Sequence, residues 1–570
     1  WAFICALNTK IGLMTWINRF SFYFGITAIL TGGSITVRDS YNTLLGSQGP
    51  IHATPHINNL IRNNAQGLSE FEKSHLSEIG LEAIGNSIVI INPNLDQSYD
   101  TDHFRFFYTL EGSNAVENLD YVINMGNIFE QVWPFYIDTM GFDQPPMGPD
   151  DLYEVNIENL PSNYFGYAVA QGSGSSCNGY IRMRNSYSSS AFNALSETDN
   201  IKVTAVHEFF HAIQFGYNCY SIRLNSGDLW FMEATAVWSE DELYNGINDL
   251  YRYMPSWFSN PDKSINDQSS HMYGTFILFQ YIDEHLGGPE TIKACWEKSK
   301  NLAHPTQDVS FEAVDAALEP YNSSLEDAYI RMRIANRILS QSVNAGIYSY
   351  NEADGYKTVV NIPPDYLPVP EEYLIFSAGQ IETEQDQSLR LYESLYYSLT
   401  TESPVKIKLT KSDGEFSLSS IVKHQGTEQW TVRTGDELNI DPEIGIEWIS
   451  LVVSSLGLDE TNWDFTLQFK DGYSEDFTFF PPYPNPSYGN TVHIDLQVIS
   501  EQTIHTKVYD LLGREMWSSS NHFSDPELVT LMWNGLNKEG RRVANGIYLI
   551  KLEGRSDQKS HRITLLKKSE

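Results

Sequence analysis

Two histidines and a glutamate stand at the spacing H-E-x-x-H in this sequence. His207, Glu208 and His211 lie in the segment VTAVHEFFHAIQFG. On an α-helix, residues four apart share a face, so both imidazoles can bind one metal ion while Glu208 lies one position round. Two imidazoles suit Zn²⁺, which lowers the pKa of a water molecule enough for a nearby carboxylate to take its proton. We therefore expect a hydrolytic zinc site with Glu208 as the general base.

The alternative is an ordinary buried helix, since Val203, Val206, Phe210 and Ile213 would pack well in a core. Burying two histidines and a glutamate without partners would cost several kcal/mol, and a bound metal removes that cost. The longer pattern of metzincin proteases, H-E-x-x-H-x-x-G-x-x-H, is absent. Gln214 and Tyr217 stand where that pattern has glycine and histidine.

A second helical segment offers the missing carboxylate ligand. It runs DLWFMEATAVWSEDE from Asp228 and carries Glu233 one turn in. The competing ligands are Glu240, two helical turns further on, and Glu242. Because both stand in the charged run Glu240–Glu242, we expect them to face solvent and prefer Glu233.

The pair VHEFFHAIQFGY and WFMEATAVW resembles the gluzincin superfamily of zinc proteases. The resemblance implies that Glu233 is the third zinc ligand and that a Tyr or His from a later helix stabilises the oxyanion. His271 and Tyr273 are the candidates for that role. Thermolysin-like members carry an aspartate where this chain has Val237, so a partner for the zinc histidines stays unassigned.

The elements around these motifs predict an α+β two-lobed, zincin-like catalytic domain over residues 60–350. Residues 60–200 mix strand-like runs with one helix, and residues 200–339 are mainly helical. The gluzincin resemblance further implies a substrate-pairing edge strand at Gly179–Asn185. Its Arg182 and Arg184 are expected to be solvated.

Two all-β immunoglobulin-like sandwich domains are expected after the helical half. Residues 372–470 form short alternating segments, which is typical of a β-sandwich. Residues 479–570 carry YPNP, VYDLLGR, WNG and VANGIY. In order and spacing these motifs resemble the type A sorting domain of the bacterial type IX secretion system, which implies the secretion machinery as a partner. Leu511, Leu512 and Trp533 are expected in its core.

Composition and charge narrow the remaining possibilities. Acidic residues number 73 against 37 basic ones, so the surface would repel nucleic acid. Residues 14–35 have the pattern of an export signal, and no other segment is expected to span a membrane stably. In an oxidising compartment Cys177 and Cys219, which flank the H-E-x-x-H segment, could pair.

We therefore expect an exported bacterial zinc metallopeptidase, secreted or on the cell surface, that acts on protein or peptide substrates. The competing hypothesis is a non-catalytic surface protein on a retired protease scaffold, binding glycan or protein through its sandwich. An intact H-E-x-x-H followed by a suitably placed glutamate favours the peptidase.

Overall fold

The computed structural model describes residues 35–566 apart from 48, 149, 162, 173, 223–227, 361–370, 380–381, 412, 443–444, 458–461 and 490. The export signal predicted at 14–35 lies outside the described residues, apart from its last residue. Within the described ranges, no helix has both the length and the apolar character needed to cross a bilayer.

Residues 35–91, here called the N-terminal segment, form three helices and a hairpin. Capping boxes at Thr36 and Ser69 start the first and third helices. The elements are α1 (Val37–Gly46), α2 (Thr54–Arg62), α3 (Glu70–Ser74), β1 (Leu81–Ile84) and β2 (Ser87–Ile90). Ile57 and Leu60 of α2 are buried in an apolar cluster that belongs mainly to this segment.

A five-stranded mixed sheet follows, in the spatial order β3-β4-β5-β7-β6. Its strands are β3 (Gln97–Asp100), β4 (Phe104–Tyr108), β5 (Tyr153–Glu158), β6 (Gly166–Gln171) and β7 (Asn178–Arg184), with α4 (Leu119–Pro134) between β4 and β5. β4, β5 and β7 run parallel, and β6 pairs antiparallel with β7. At Gly166 of β6 an added Cβ would lie 2.8 Å from Thr204 Cγ2, so glycine permits the close packing of the next helix.

This order corrects the expected edge strand. β7, at the predicted position, is internal between β5 and β6, and β6 forms the edge. The expectation that Arg182 and Arg184 are solvated is also wrong, because both are buried. Arg182 Nε pairs with Glu158 Oε1 at 2.7 Å, and Arg184 donates to the backbone carbonyls of Pro161 and Tyr164.

The next region is helical. Its helices are α5 (Glu197–Asn218), α6 (Leu229–Tyr244), α7 (Met254–Ser259), α8 (His271–Gly274), α9 (Phe276–His285), α10 (Pro289–Leu302), α11 (Ser310–Leu318), α12 (Leu325–Ile338) and α13 (Ala353–Val360). Ser196 caps α5 by accepting from Asp199 N. α5 is buried on all sides from Val203 to Phe215, so it is the central helix of the α/β region.

A disulfide ties the start of β7 to the end of α5. Cys177 and Cys219 are bonded, 42 positions apart, with their Cα atoms 5.7 Å apart. The pairing that the sequence left open is therefore present, and Cys295 is a buried free thiol. The bond fixes the helix that carries the H-E-x-x-H motif against the sheet.

The described residues from 371 to 565 form an all-β region, with sheets arranged in two pairs that are compatible with sandwiches. The first pair comprises β8 (Glu371–Phe376), β9 (Glu382–Leu389), β10 (Ser394–Thr401), β11 (Val405–Lys411), β12 (Glu415–His424), β13 (Trp430–Thr434), β14 (Glu437–Ile440), β15 (Ile446–Leu456) and β16 (Trp463–Asp471). Their order is β13-β12-β15-β10-β8 in one sheet and β14-β11-β16-β9 in the other. Ile334 and Ile338 of α12 pack on the first sheet.

The last pair of sheets comprises β17 (Phe477–Phe479), β18 (Val492–Val498), β19 (Gln502–Asp510), β20 (Glu515–Phe523), β21 (Glu527–Trp533), β22 (Gly546–Glu553) and β23 (Gln558–Leu565). Trp533 is in their shared core, as expected. Leu511 and Leu512 are not: they lie on the β19–β20 turn and are 75% and 79% exposed. Gly513 completes that turn with φ 76°.

Removing the disulfide should destabilise the α/β region. Closing a loop of this length is worth about 4 kcal/mol in the chain-entropy account. We expect the double variant Cys177→Ala, Cys219→Ala to unfold at clearly lower urea concentration than the wild type. Cys295→Ala serves as the control for loss of a buried cysteine side chain. Equal midpoints for the double variant and the wild type would contradict a structural role for the bond.

Candidate metal centre

Helix α5 presents His207, Glu208 and His211 within one turn and a half of its buried interior. All three side chains are completely buried. The two histidine rings lie 4.7 Å apart, centroid to centroid, as the i, i+4 spacing predicts. The helix therefore brings two imidazoles and a carboxylate to one point inside the domain.

Helix α6 brings Glu233 against the two histidines. Glu233 Oε2 lies 3.2 Å from His207 Nε2, and Glu233 Oε1 lies 3.4 Å from His211 Nε2. The potential ligand atoms of the three residues all fall within 4.8 Å of one another. Ala234 and Ala236, both buried, are the small neighbours that let α6 approach α5 closely. The structure thus brings together the three residues predicted as ligands.

The donor set fits a zinc ion. His211 Nε2 and Glu233 Oε1 are buried, 3.4 Å apart, and have no hydrogen-bond partner among the described residues, a costly state that a cation between them would relieve. Two imidazole nitrogens and a carboxylate oxygen are ligands that zinc prefers. A second cluster, His52, His207 and Glu208, also converges. It is the weaker candidate because Glu208 Oε2 already accepts a hydrogen bond, from Thr54.

Two polar side chains lie within hydrogen-bonding distance of the Nδ1 atoms of the two histidines and so orient the rings. Neither contact was predicted from the sequence. His207 Nδ1 lies 2.8 Å from Glu240 Oε1, and His211 Nδ1 lies 2.7 Å from Gln214 Oε1. The expectation that Glu240 faces solvent is wrong, since it is completely buried. Its spacing of two turns from Glu233 was the available signal, because it places both carboxylates on one face of α6.

The charges of the cluster stabilise one another. Burial opposes a charge on His207, but hydrogen bonds with Glu233 and Glu240 outweigh it and raise its pKa to about 10. Burial likewise opposes ionisation of Glu233, yet the charges of His211 and His207 bring its pKa down to about 2. Without a metal, His207 and Glu233 therefore form an ion pair, and a bound cation would take the place of the Nε2 proton of His207.

Glu208, the expected base, contacts residues of the N-terminal segment. Its Oε2 accepts from Thr54 Oγ1 at 2.6 Å, and its Oε1 lies 3.5 Å from His52 Nδ1. The His52 ring stacks on that of His207 with centroids 3.6 Å apart. Burial raises the pKa of Glu208, although the neighbouring histidines oppose the rise. No local spacing pointed to His52 or Thr54, which lie about 150 positions before the helix.

Of the two oxyanion candidates, Tyr273 lies beside the cluster. Its hydroxyl donates to the His52 carbonyl at 3.2 Å. Burial raises its pKa well above the ordinary value, so the hydroxyl keeps its proton. His271, two residues earlier, stacks instead on Trp257, and its ring nitrogens have no hydrogen-bond partner in the part of the chain that the structure describes.

A group of carboxylates lies on the far side of Glu240. Burial, followed by the charge of Glu352, raises the pKa of Asp241 to about 7. Burial and the neighbouring Asp283 raise the pKa of Glu242 to about 8. The two residues are buried or half-buried, so this charged run is not the solvated face that the sequence predicted.

Two stretches of the chain match known families. Residues 94–315, which include α5 and α6, match the family of unknown function DUF6055. Residues 482–566 match the secretion system C-terminal sorting domain, which confirms the sorting domain predicted from the sequence. The protein is therefore exported, to the cell surface or beyond it, and its C-terminal domain interacts with the type IX secretion machinery.

No curated protein matches the chain. Similar solved structures include PorZ, a surface component of the type IX secretion system of Porphyromonas gingivalis, at 20% identity over 18% of this chain and 14% of that one, with a TM-score of 0.13. Latent PorU of the same species is 14% identical over 33% of this chain and 20% of that one, with a TM-score of 0.17. A β-glucuronidase of Parabacteroides merdae is 11% identical over 29% of this chain and 28% of that one, with a TM-score of 0.14. The chain spans less than a third of the length of each of these proteins, and TM-scores this low do not indicate a shared overall fold.

Substitutions on α6 should separate the third ligand from the orienting carboxylate. Glu233→Ala leaves two histidines, so we expect zinc to be lost on dialysis against a mild chelator. Glu240→Ala removes only the partner of His207 Nδ1, and we expect zinc affinity to fall about 10–100-fold. Glu242→Gln is the control in the same run. Zinc retained by Glu233→Ala but lost by Glu240→Ala would move the third ligand to Glu240.

Asp241 should make stability depend on pH. Its pKa of about 7 in the folded chain exceeds the ordinary value of 3.8, so the folded state binds a proton that the unfolded chain releases between these values. Stability therefore falls as pH rises through this window. We expect Asp241→Asn to stabilise the protein, with a gain about 2 kcal/mol larger at pH 8 than at pH 5 in urea unfolding. The exposed Asp102→Asn is the control, and a gain independent of pH would contradict the assignment.

Proposed function

We propose that this protein is an exported zinc-dependent peptidase with a zincin-like catalytic domain of the gluzincin type. The observation that carries the proposal is the convergence of His207, His211 and Glu233 next to the acid Glu208. Two of the buried ligand atoms have no hydrogen-bond partner among the described residues. A donor set of this kind beside a carboxylate base is the arrangement that metal-assisted hydrolysis needs.

A bound Zn²⁺ would supply Lewis acidity, lowering the pKa of a water molecule and polarising a peptide carbonyl. Glu208 would take the proton from the attacking water at its carboxylate. It would then pass that proton to the nitrogen of the leaving amine. The buried setting of Glu208 suits this exchange, because burial raises its pKa and makes it a better proton carrier.

Tyr273 would donate its hydroxyl hydrogen to the carbonyl oxygen as negative charge develops there. Its hydroxyl already donates to a backbone carbonyl, that of His52, beside the cluster. Glu240 and Gln214 are positioning residues, because each holds the Nδ1 of one histidine and so aims the other nitrogen of that ring at the ligand cluster.

The competing class is a non-catalytic surface protein. It would not require a base next to the ligand cluster, nor a partner on the rear nitrogen of both histidines. Zinc content measured together with digestion of casein separates the two hypotheses. A chain that binds no zinc and digests nothing in any form would favour the non-catalytic alternative.

Glu208→Gln should abolish most peptidase activity while the zinc stays bound. The amide keeps the size of the side chain but cannot accept the proton of the attacking water. We expect activity per bound zinc to fall about 10²–10⁴-fold. Glu242→Gln, the same change outside the cluster, should retain both zinc and activity. Turnover near that of the wild type in the Glu208 variant would mean that another group is the base.

A further inference from the structure

The N-terminal segment forms a separate layer over the candidate site. Its apolar side chains have their own cluster, which the sheet joins through Leu160, Tyr164, Tyr167 and Val169. Among the described residues of the segment, Ile35 alone belongs to the main core of the α/β region. Departure of the segment would therefore uncover the sheet residues of the shared cluster but remove little of the main core.

One stretch of this segment, residues 51–58, follows the outer edge of β6. Ile51 pairs with the chain just before the strand, through Ile51 N to Asn163 O at 2.8 Å and Phe165 N to Ile51 O at 3.1 Å. An exposed edge of this kind has free N–H and C=O groups, with which an extended peptide can pair. Here the pairing partner at its beginning is the chain itself.

Side chains of the same stretch bond to the middle of the edge, at Ala168 and Ala170. Ala168 N donates to Thr54 Oγ1 at 2.8 Å, and Ala168 O accepts from Asn58 Nδ2 at 2.8 Å. Ala170 N donates to Asn58 Oδ1 at 2.9 Å. Three of the backbone groups that β6 would offer to a substrate are thus already in use.

The stretch also occupies the groups that carry the proposed chemistry. The His52 carbonyl accepts from the Tyr273 hydroxyl, and Thr54 Oγ1 donates to Glu208 Oε2. The His52 ring covers His207, and Arg252 lies 3.1 Å from its Nε2. A backbone carbonyl on the oxyanion donor and a hydroxyl on the base are contacts that a substrate and water would need for themselves.

The burial of the cluster has the same origin. His207, Glu208, His211 and Glu233 are each 0% exposed, and His52 and Thr54 are 1% and 0% exposed above them. A peptide main chain reaches Glu208 only when these contacts open, so the intact chain would retain no more than a low basal activity. The segment ends at residues 92–96, a connection without regular structure whose Asn92, Asn94 and Asp96 are exposed.

We propose that the N-terminal segment is a built-in inhibitor whose residues 51–58 lie in the substrate site, so that the peptidase is latent until the segment leaves. This inference rests on the proposed function, whose active site it regulates. The segment would inhibit by occupying the substrate site, because it contacts the edge of β6, the base Glu208 and the oxyanion donor Tyr273 at the same time.

The test uses the full chain with a recognition site for a sequence-specific protease inserted after Asn94. After cutting, the fragment is removed by gel filtration, and casein digestion is compared with that of the uncut chain, both with zinc. We expect at least a tenfold rise in activity, with Glu208→Gln in the cut chain as the control for contaminating proteases. Hydrogen exchange of the β6 amides should also accelerate at least tenfold, since Ala168 and Ala170 lose their partners.

The two measurements separate this inference from the proposed function. Faster amide exchange in β6 without any activity would support the statement that the N-terminal segment covers the site, and would overturn the proposed peptidase function. Equal activity before and after cutting would overturn the inhibitor and leave the peptidase standing. A fragment that stays bound after cutting, with β6 exchange unchanged, would also overturn the inhibitor.

A milder variant checks the same contacts without cutting. Asn58→Ala removes both side-chain bonds to the edge of β6, so we expect faster exchange there and a partial gain of activity in the intact chain. Asn63→Ala, at the end of the same helix, is the matched control, because its amide donates to Asn59 rather than to the sheet. Equal effects of the two substitutions would overturn the role given to residues 51–58.

Discussion

The mutual burial of His207, His211 and Glu233 is the constraint on which the α/β region depends. Ionisable groups in a protein interior are costly unless each polar atom finds a partner. Here α5 and α6 meet that requirement only in part, because His211 Nε2 and Glu233 Oε1 have no hydrogen-bond partner among the described residues. The rear nitrogen of each histidine has Glu240 or Gln214, and the front atoms face a common point. Because α5 is buried on every side, the packing of the core around this helix also fixes the position of the cluster.

The same constraint explains the place of β6. The sheet ends at this strand, and α5 packs directly beneath it where Gly166 has no side chain. The strand edge and the cluster therefore lie next to each other, within reach of one short stretch of chain. Residues 51–58 span both, with Asn58 at the edge and Thr54 on Glu208. Any molecule that uses this site must meet the edge and the acid together.

The C-terminal modules are built for a different task. Their cores are separate from that of the α/β region, and the last one matches a sorting domain. The exposed Leu511 and Leu512 project from a turn of that domain rather than filling its core. Export also accounts for the Cys177–Cys219 bond, since disulfides persist in oxidising compartments.

The sequence by itself determined the features that depend on local periodicity. The shared face of His207 and His211 was predicted because the geometry of one helix sets it. Glu233 as a ligand and the sorting domain were predicted from resemblance to known families. Burial of Glu240 and Arg182 was not predicted, since charged residues are usually solvated and only their partners on other elements reverse that rule. The contacts of His52 and Thr54 with α5 join residues about 150 positions apart. Such contacts follow from how the layers pack, which no local spacing records, and so only the tertiary structure decided that the site is covered.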